Sequence, residues 1–384
     1  MKTERLYYSD SMLHSFDAHV VRNEGDRVVL DRTAFYPTSG GQPHDIGTLG
    51  GARVVNVEDN DAEEVIHFLD RPIESAEVHG EVDAARRFDH MQQHTGQHLL
   101  SAVFIELFNF PTVSFHLGDE TCTIDLAIPK IDAEQITRAE ERSNAVVFEN
   151  RPVSVAYKPK EEIAALGLRK ETKRDGEIRL ISIEGLDLCA CGGTHVRATG
   201  EIGAILLRKV EKVKQGIRVE FVCGHRAVRA ARRDFTALAQ ASTLYSAKPH
   251  DLPQLIAKKL DEAKSAERET KRLQESLAAF EAKEMVAAAP AGAVRVVERV
   301  YDSGDPNYLR QLAAQIARQP AARAILALRQ PPTLFVAQTK DLPGAPDLGA
   351  MVKQAGLRGG GTKDAAQGGA ATWDVIERAL ALLR

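Results

Sequence analysis

The 384-residue sequence predicts an α+β fold built from four parts. Short β-branched runs separated by Gly and Asp fill the first part, as is typical of a barrel or a curled sheet. Helical and strand patterns then alternate, and a stretch rich in Ala, Glu, Lys and Leu follows. We place the parts at 1–85 (β-barrel-like domain), 86–225 (α/β domain), 226–289 (helical coiled-coil arm) and 290–384 (small C-terminal α/β domain).

Composition limits the class of protein. Hydrophobic residues make up 43% of the chain, enough for a buried core, and a net charge of −4 means that any basic surface must be local. We find neither a signal-peptide-like N-terminus nor an apolar run of about 18 residues, so we expect a cytoplasmic protein without membrane spans. Four cysteines are too few for a disulfide scaffold.

The first part contains the strand candidates AHVVRN, RVVLDRT, GTLGGARVVNV and VIHFLD. Between them lies FYPTSGGQPHDIG (35–47), which is too rich in Gly and Pro for a regular element. Glycine lets the backbone approach a ligand closely, so Gly40, Gly41 and Gln42 are candidate substrate contacts. A tight turn in a barrel explains the same residues.

A helix in the second part should run from near Arg87 to Phe108, where Asn109 and Pro111 stop it. It carries HMQQHTGQHLL (90–100), with histidines at three positions four residues apart. Such residues share one helix face about 5–6 Å apart, so two imidazoles can bind one cation. An isolated pair is more often a solvated surface, and a second half-site is therefore required.

The stretch CGGTH supplies that half-site, because Cys191 and His195 flank two glycines that permit a tight turn. With His94 and His98 they form a set of nitrogen and sulfur ligands that suits Zn²⁺. Thr95 stands where a H-E-x-x-H metalloprotease would have Glu, which argues against that class.

Spacing leaves three alternatives open. His90 could ligate in place of His98, and Cys189 could compete with Cys191. His116, in SFHLG, could be a ligand, a general base or a core histidine.

The third part has apolar residues at spacings of three and four, including Ile256, Leu273, Leu277 and Phe280. They predict either an amphipathic helix packed in one chain or an arm that forms a dimer seam. Arg226 and Arg229 begin a basic run that could contact RNA or be a solvated face. Two further basic groups, which include Lys170, Lys173 and Arg174 in one of them, leave the same choice.

The C-terminal part alternates strand candidates (RVVERV, AILAL, PTLFVAQ) with helices near 308–318, 348–355 and 372–383. Its one segment expected to be irregular is GLRGGGTKDAAQGGA (356–370), in which Arg358 and Lys363 flank three glycines. A glycine-rich backbone with nearby cations can cradle phosphate. The segment contains no G-x-x-x-x-G-K-[ST], which argues against a nucleotide triphosphate site.

Four of these stretches, in this order, resemble alanyl-tRNA synthetases and the free-standing alanyl-tRNA deacylases of the AlaX type. DRTAFYPTSGGQPHDIG (31–47), MQQHTGQHLL (91–100) and CGGTHVRATGEIG (191–203) resemble the editing module, and GLRGGGTKDAAQGGA resembles the C-terminal domain. The resemblance assigns zinc to His94, His98, Cys191 and His195. Because the sequence opens almost directly on the β-rich part, it looks like the long form of a stand-alone deacylase rather than a synthetase.

The resemblance implies zinc-dependent hydrolysis of the aminoacyl ester of tRNA(Ala) that carries serine or glycine. A pocket that hydrogen-bonds the serine hydroxyl can discriminate by roughly 10⁴–10⁵ against a substrate that lacks it. Thr33, where the family pattern keeps Thr, is the candidate partner, although a Thr at a strand end can simply cap a turn. His116 could position water or contact the terminal adenosine.

The family also implies that the C-terminal domain contacts tRNA and supports self-association, so a homodimer through this domain or the arm is expected. The main alternative function is a non-catalytic RNA-binding protein with a structural zinc site. A second alternative is a metal-dependent hydrolase of another ester or amide.

Overall fold

The computed structural model describes residues 2–60, 62–163, 166–170, 176–214, 216–340 and 342–383. Within them it contains twenty strands and eight α-helices, which confirms the mixed α+β class. The chain divides into two compact units, Met1–Gln240 and Ala241–Arg384, which are described separately. No helix of the described residues is both long and apolar enough to cross a membrane.

Six strands at the start of the first unit close into a barrel in the order β2-β3-β7-β6-β5-β8. Residues alternate between buried and exposed along β2, β6 and β8, because one face of each strand fills the barrel interior. The strands of this region are β1 (Glu4–Arg5), β2 (Ser15–Asn23), β3 (Arg27–Leu30), β4 (Arg32–Thr33), β5 (Gly47–Leu49), β6 (Ala52–Asp59), β7 (Val65–Leu69) and β8 (Glu77–Val82).

The glycine-rich segment between β4 and β5 turns at its tip, where Ser39 and Gln42 exchange two backbone hydrogen bonds. Gly40 and Gly41 have φ of 58° and 85°, in the left-handed region that favours glycine. A side chain at Gly41 would also lie 2.9 Å from the carbonyl oxygen of Phe115. The tip therefore packs against the next sheet, and Leu117 donates a hydrogen bond to the Gly41 carbonyl.

Helix α1 (Ala84–Phe108) carries the three histidines through the centre of the first unit. It begins three residues before the predicted start, because the Asp83 carboxylate caps it by accepting from the Arg86 amide. It ends at Asn109, which adopts a left-handed conformation. Arg87, fully buried, forms an ion pair with Asp45 that fastens the helix to the glycine-rich segment.

Two antiparallel sheets complete the first unit: β14-β15-β10-β9 and β11-β12-β13. The first of them packs with α1 and α2 around one apolar core that includes Leu99, Val103, Phe104, Ile124 and Phe221. The elements are β9 (Thr112–Leu117), β10 (Cys122–Leu126), α2 (Ala133–Phe148), β11 (Val153–Pro159), α3 (Lys160–Ile163), β12 (Glu177–Ile183), β13 (Asp187–Ala190), β14 (Ile205–Val213), β15 (Gly216–Cys223) and α4 (Gly224–Tyr245).

The second unit contains a long helix and a five-stranded sheet in the order β16-β17-β18-β20-β19. Ala278, Ala282 and Val286 of the long helix pack into the core of this unit. Leu273, Leu277 and Phe280 of the same helix are at least half exposed. The elements are α5 (Leu252–Ala288), β16 (Arg295–Ser303), α6 (Pro306–Ala317), β17 (Ala322–Gln330), β18 (Thr333–Gln338), α7 (Leu348–Gln354), β19 (Arg358–Gly361), β20 (Ala365–Gly369) and α8 (Trp373–Leu383).

The segment expected to be irregular, 356–370, is instead a hairpin of β19 and β20 at the edge of this sheet. A side chain at Gly359 would lie 2.1 Å from the Gln367 carbonyl oxygen, and one at Gly361 would lie 2.1 Å from that of Ala365. These glycines are therefore required by close strand contact, which a rule that equates Gly-rich sequence with loops overlooks.

Candidate metal centre and its cleft

The middle of α1 presents two imidazoles on one face, as the spacing of four predicts. The ring centres of His94 and His98 lie 5.3 Å apart, and both side chains are buried. The turn after β13 brings His195 to ring distances of 4.7 Å from His94 and 4.8 Å from His98.

Cys191 completes this cluster. Its Sγ lies 3.5 Å from Nε2 of His94 and 3.4 Å from Nε2 of His195. One potential ligand atom from each of the four residues lies within 4.8 Å of all the others. The structure thus brings together the four residues favoured by spacing, and three nitrogens with one sulfur suit Zn²⁺.

Each imidazole is held by its Nδ1, which leaves Nε2 directed to the shared centre. His94 Nδ1 donates to Gln42 Oε1 at 2.8 Å, and His98 Nδ1 donates to Asp187 Oδ2 at 3.1 Å. Nδ1 of His195 lies 3.1 Å from the hydroxyl of Thr95. Hydrogen bonds of this kind fix the tautomer and ring orientation of metal-binding histidines.

Further contacts fix Asp187, which bonds His98, and the turn that carries Cys191. Arg169 Nε donates to Asp187 at 2.7 Å, so the carboxylate behind His98 is itself ion-paired. Arg179 Nη1 donates to the carbonyls of Cys191 and Gly193, at 2.8 and 3.0 Å, and thereby fixes the turn. The Gly193 amide donates to Cys191 Sγ at 3.3 Å.

Electrostatics favour the thiolate form of Cys191. Burial opposes ionisation of Cys191, but the rings of His94 and His195 outweigh it and hold the pKa of the thiol well below its usual range. Burial lowers the pKa of His195 to about 3. Burial also opposes the charged form of His98, yet its hydrogen bond to Asp187 leaves the pKa raised. A thiolate in such surroundings attracts a cation.

The two alternative ligands, His90 and Cys189, are not among the four residues whose donor atoms converge. Burial lowers the pKa of His90 to about 4, and its Nδ1 is buried without a hydrogen bond in the described chain. Burial raises the pKa of Cys189 to about 11, so that this thiol remains protonated near neutral pH.

A cleft of about 440 Å³ opens onto the cluster. His94, His98 and Cys191 form part of its lining, and Phe115 packs its ring 5.4 Å from that of His94. The other lining residues include Tyr36, Ser39, Gly40, Gln97, Thr112, Arg169 and Lys170. A cavity of this size matches typical small-ligand sites.

Thr33 lies elsewhere, with its side chain fully buried. Its hydroxyl is 2.8 Å from Nε2 of His67, whose Nδ1 lies 3.1 Å from the Val28 carbonyl, and it also accepts from the Phe35 amide. Thr33 is not among the residues that line the cleft. In the structure Thr33 thus contacts His67 and Phe35, and its contact with a substrate hydroxyl stays a prediction.

Three other predicted site residues are not in the cleft lining. His116 is exposed on β9 and does not line the cleft, because alternation along the strand turns Phe115 inward instead. Gly41 supports the loop tip against Phe115, and Gln42 is fully buried behind His94. Of the three loop residues predicted to contact substrate, Gly40 lines the cleft.

The predicted RNA contacts divide in the same way. Arg226 is 5% exposed, pairs with Asp89 and donates to the Gly118 carbonyl, so its guanidinium serves packing and is not free for RNA. Arg229 has a side chain that is 69% exposed, and Arg358 and Lys363 are exposed in the second unit. Lys173 and Arg174 lie outside the described residues.

Sequence reasoning missed Asp187, Arg169 and the holding role of Thr95. Asp187 is 89 residues from His98 along the chain, and the contact of Thr95 with His195 spans 100 residues. Only the fold brings these pairs together, so no local pattern marks them.

Comparison with known proteins places this site in a family context. Residues 178–219 match the family described as "Threonyl and Alanyl tRNA synthetase second additional domain", and residues 6–89 match "tRNA synthetases class II (A)". The chain is 30% identical over 385 residues to the alanine-tRNA ligase of Pyrococcus abyssi, covering 96% of this chain and 42% of the ligase. It is therefore homologous to alanyl-tRNA synthetases in their editing region.

A shorter relative is more similar. The alanyl-tRNA editing protein AlaX-L of Pyrococcus horikoshii is 40% identical over 239 residues, which is 59% of each chain. The chain spans less than half the length of the ligases it matches and 59% of AlaX-L. The C-Ala domain from Aquifex aeolicus alanyl-tRNA synthetase is 25% identical, with 24% of this chain and 91% of that domain covered and a TM-score of 0.22.

Proposed function

We propose that this chain is an aminoacyl-tRNA deacylase that hydrolyses Ser-tRNA(Ala), Gly-tRNA(Ala) or both, in trans and with zinc. The observation that carries the proposal is a set of three imidazoles and one thiol at the wall of a cleft, in a homologue of an editing protein. His94, His98, Cys191 and His195 would hold the ion. Bound zinc would supply a positive charge beside the ester.

The cleft supports an aminoacyl ester as the substrate class. Its volume of about 440 Å³ accommodates an amino acid with part of the terminal adenosine. Phe115 offers an apolar ring face beside His94, and Lys170 is an exposed cation in the lining that can approach a phosphate. Gly40 lines the cleft and has no side chain to occupy it.

Four protein donors complete a tetrahedral set, so the cleft's own polar groups must orient the ester and the attacking water. The Tyr36 hydroxyl donates to the Ser39 carbonyl at 3.1 Å and keeps lone pairs for accepting a further hydrogen bond. Asp187, Gln42 and Thr95 keep the imidazoles from rotating while substrate enters and leaves. A preorganised arrangement of this kind avoids reorganisation during the reaction.

For tRNA binding we retain Arg229, Arg358 and Lys363, whose side chains are exposed, and set Arg226 aside. A homodimer through α5 is supported by the exposure of Leu273, Leu277 and Phe280, since apolar side chains at such spacing commonly pack against another helix. Both points extend the proposal and do not carry it.

The proposal is tested by incubating the purified chain with Ser-tRNA(Ala), Gly-tRNA(Ala) and Ala-tRNA(Ala), with and without a chelator. We expect release of serine or glycine that is lost with the chelator and restored by Zn²⁺, while Ala-tRNA(Ala) survives. The alternative, an RNA-binding protein with a structural zinc, predicts tRNA binding without hydrolysis. Deacylation by fully zinc-free protein would contradict the role given to the metal.

A further inference from the structure

Two polar residues of the cleft lining, Gln97 and Thr112, share a hydrogen-bond partner and are not among the four residues of the metal cluster. Gln97 of α1 donates from Nε2 to the Ser101 hydroxyl at 2.8 Å, and Thr112 of β9 donates to the same oxygen at 2.8 Å. Gln97 is 6% exposed and Ser101 is fully buried. The amide plane of Gln97 is therefore fixed from one side.

The other end of this amide is uncommitted. Among the described residues, Gln97 Oε1 has no hydrogen-bond partner, although the side chain is more than nine-tenths buried and lines the cleft. Gln97 lies three residues after His94 and one before His98, so it flanks the metal-facing surface of the helix. The oxygen can therefore bond a ligand that enters the cleft, and a ligand that covers it without bonding it would leave it unpaired at a cost in free energy.

Building on the proposed function, we propose that Gln97 reads the side-chain hydroxyl of a seryl ester and thereby determines specificity at this site. A hydroxyl both donates and accepts, so it can satisfy a carboxamide held in a fixed plane. The methyl group of alanine can do neither and would bury the amide unpaired, which penalises the correct ester. Glycine leaves the space empty, and one water molecule can occupy it and bond the amide.

Two residues with hydroxyl groups, Thr33 and Tyr36, are less suited to bonding the serine hydroxyl. The Thr33 hydroxyl is enclosed with His67 and does not line the cleft. Tyr36 does line the cleft, but its hydrogen is donated to the Ser39 carbonyl. Of these three residues, Gln97 lines the cleft and has an amide oxygen that accepts no hydrogen bond among the described residues.

The test is Gln97→Met, which keeps the length of the side chain and removes its polar end. The kcat/KM for Ser-tRNA(Ala) should fall about 10- to 100-fold, because the hydroxyl loses its partner. The kcat/KM for Gly-tRNA(Ala) should change little, and zinc per chain, measured by mass spectrometry of the metal, should equal wild type. Ser101→Ala should lower the Ser-to-Gly ratio less, since it only frees the amide to rotate. Gln240→Met, at an exposed position of α4, is the matched control.

A binding measurement makes the result independent of turnover. Calorimetry with non-hydrolysable seryl, glycyl and alanyl amides of adenosine should show that Gln97→Met weakens the seryl compound alone and removes the preference for seryl over alanyl.

Each alternative outcome overturns the inference in a distinguishable way. If Gln97→Met lowers the activity on the seryl and glycyl esters equally, Gln97 has a structural role and does not determine specificity. If neither activity falls, Gln97 does not contact the serine hydroxyl. A serine-specific loss in Tyr36→Phe but not in Gln97→Met would transfer the role to Tyr36. If the wild-type chain cleaves neither ester, the proposed function itself fails, and the inference fails with it.

Discussion

Two groups of buried histidines lie in the same unit and have different environments. His67, inside the barrel, has both ring nitrogens engaged, one by the Val28 carbonyl and one by the Thr33 hydroxyl. His94, His98 and His195 each have only Nδ1 held by an outer partner, and their Nε2 atoms face Cys191 or one another. Burial alone does not separate the two groups, because all four rings are buried.

The difference teaches that a candidate ligand is recognised by an uncommitted nitrogen that meets other donor atoms at one centre. His90 also has a ring nitrogen without a partner among the described residues, but it is not part of such a cluster. A histidine with two protein partners is a packing element, and burial lowers the pKa of His67 to about 4, so it stays neutral. A histidine that is held only at Nδ1 has its Nε2 directed to one point. Three such rings around a thiolate can bind a cation.

The largest effect should come from Cys191→Ala, which removes the thiolate from the cluster. We expect zinc to fall below about a tenth of an equivalent and ester hydrolysis to reach background, because metal affinity depends on the complete donor set. Cys189→Ala is the matched control for metal content, and it should keep zinc. If a zinc-free Cys191→Ala protein retained activity, the cluster around Cys191 would not be the metal centre that the reaction needs, and its distinction from His67 would have no functional meaning.

Asp187→Asn should have the next largest effect, because it removes the charge that holds His98 while leaving all four ligands. Zinc affinity should fall about 10- to 100-fold, as is common when such partners are changed. Competition with a chromogenic chelator measures it. Asp125→Asn alters a carboxylate that is also paired with an arginine, Arg218, but contacts none of the ligands. If both variants lose zinc equally, the holding role of Asp187 is refuted.

Acid should destabilise the fold through His67. Its pKa is lowered from 6.5 to about 4 in the folded state, so between these values the unfolded chain binds a proton that the folded chain does not. The stability from this group is complete above pH 6.5 and is lost towards pH 4, with a total of up to about 3 kcal/mol.

Urea unfolding of wild type and His67→Gln across this range checks the prediction. The His90 and His195 pKa values are lowered as well, so both proteins should weaken in acid. The wild-type curve should nevertheless be the steeper one, and parallel curves would exclude His67 as a contributor.

The smallest effect should come from Thr33→Val, which removes the hydroxyl that bonds His67. We expect a loss of about 1 kcal/mol in the free energy of unfolding, with zinc content and the ratio of serine to glycine activity unchanged. If serine activity falls while stability stays constant, Thr33 reads the substrate hydroxyl after all, and the two groups of histidines are less separate than the structure indicates.

Local patterns in the sequence were sufficient for features that depend on near neighbours. The spacing of four in HMQQHTGQH and CGGTH pointed to residues that the structure brings together, since one helix and one turn set these distances. The start of α1 was misplaced because the Asp83 cap was overlooked. The contact of Thr33 with His67 could not be predicted from a local pattern, because His67 lies on another strand. The hairpin at 358–369 was missed because cross-strand contacts, absent from a one-dimensional pattern, explain its glycines.

The second glycine of CGGTH has a consequence for natural variation. A methyl group on Gly193 would lie 2.2 Å from Cε1 of His94, and the carbonyl of the same residue accepts from Arg179. Even an alanine at this position would therefore displace the imidazole of His94. Among homologues, we expect residues other than glycine at position 193 only in sequences that also lack one or more of the four candidate ligands.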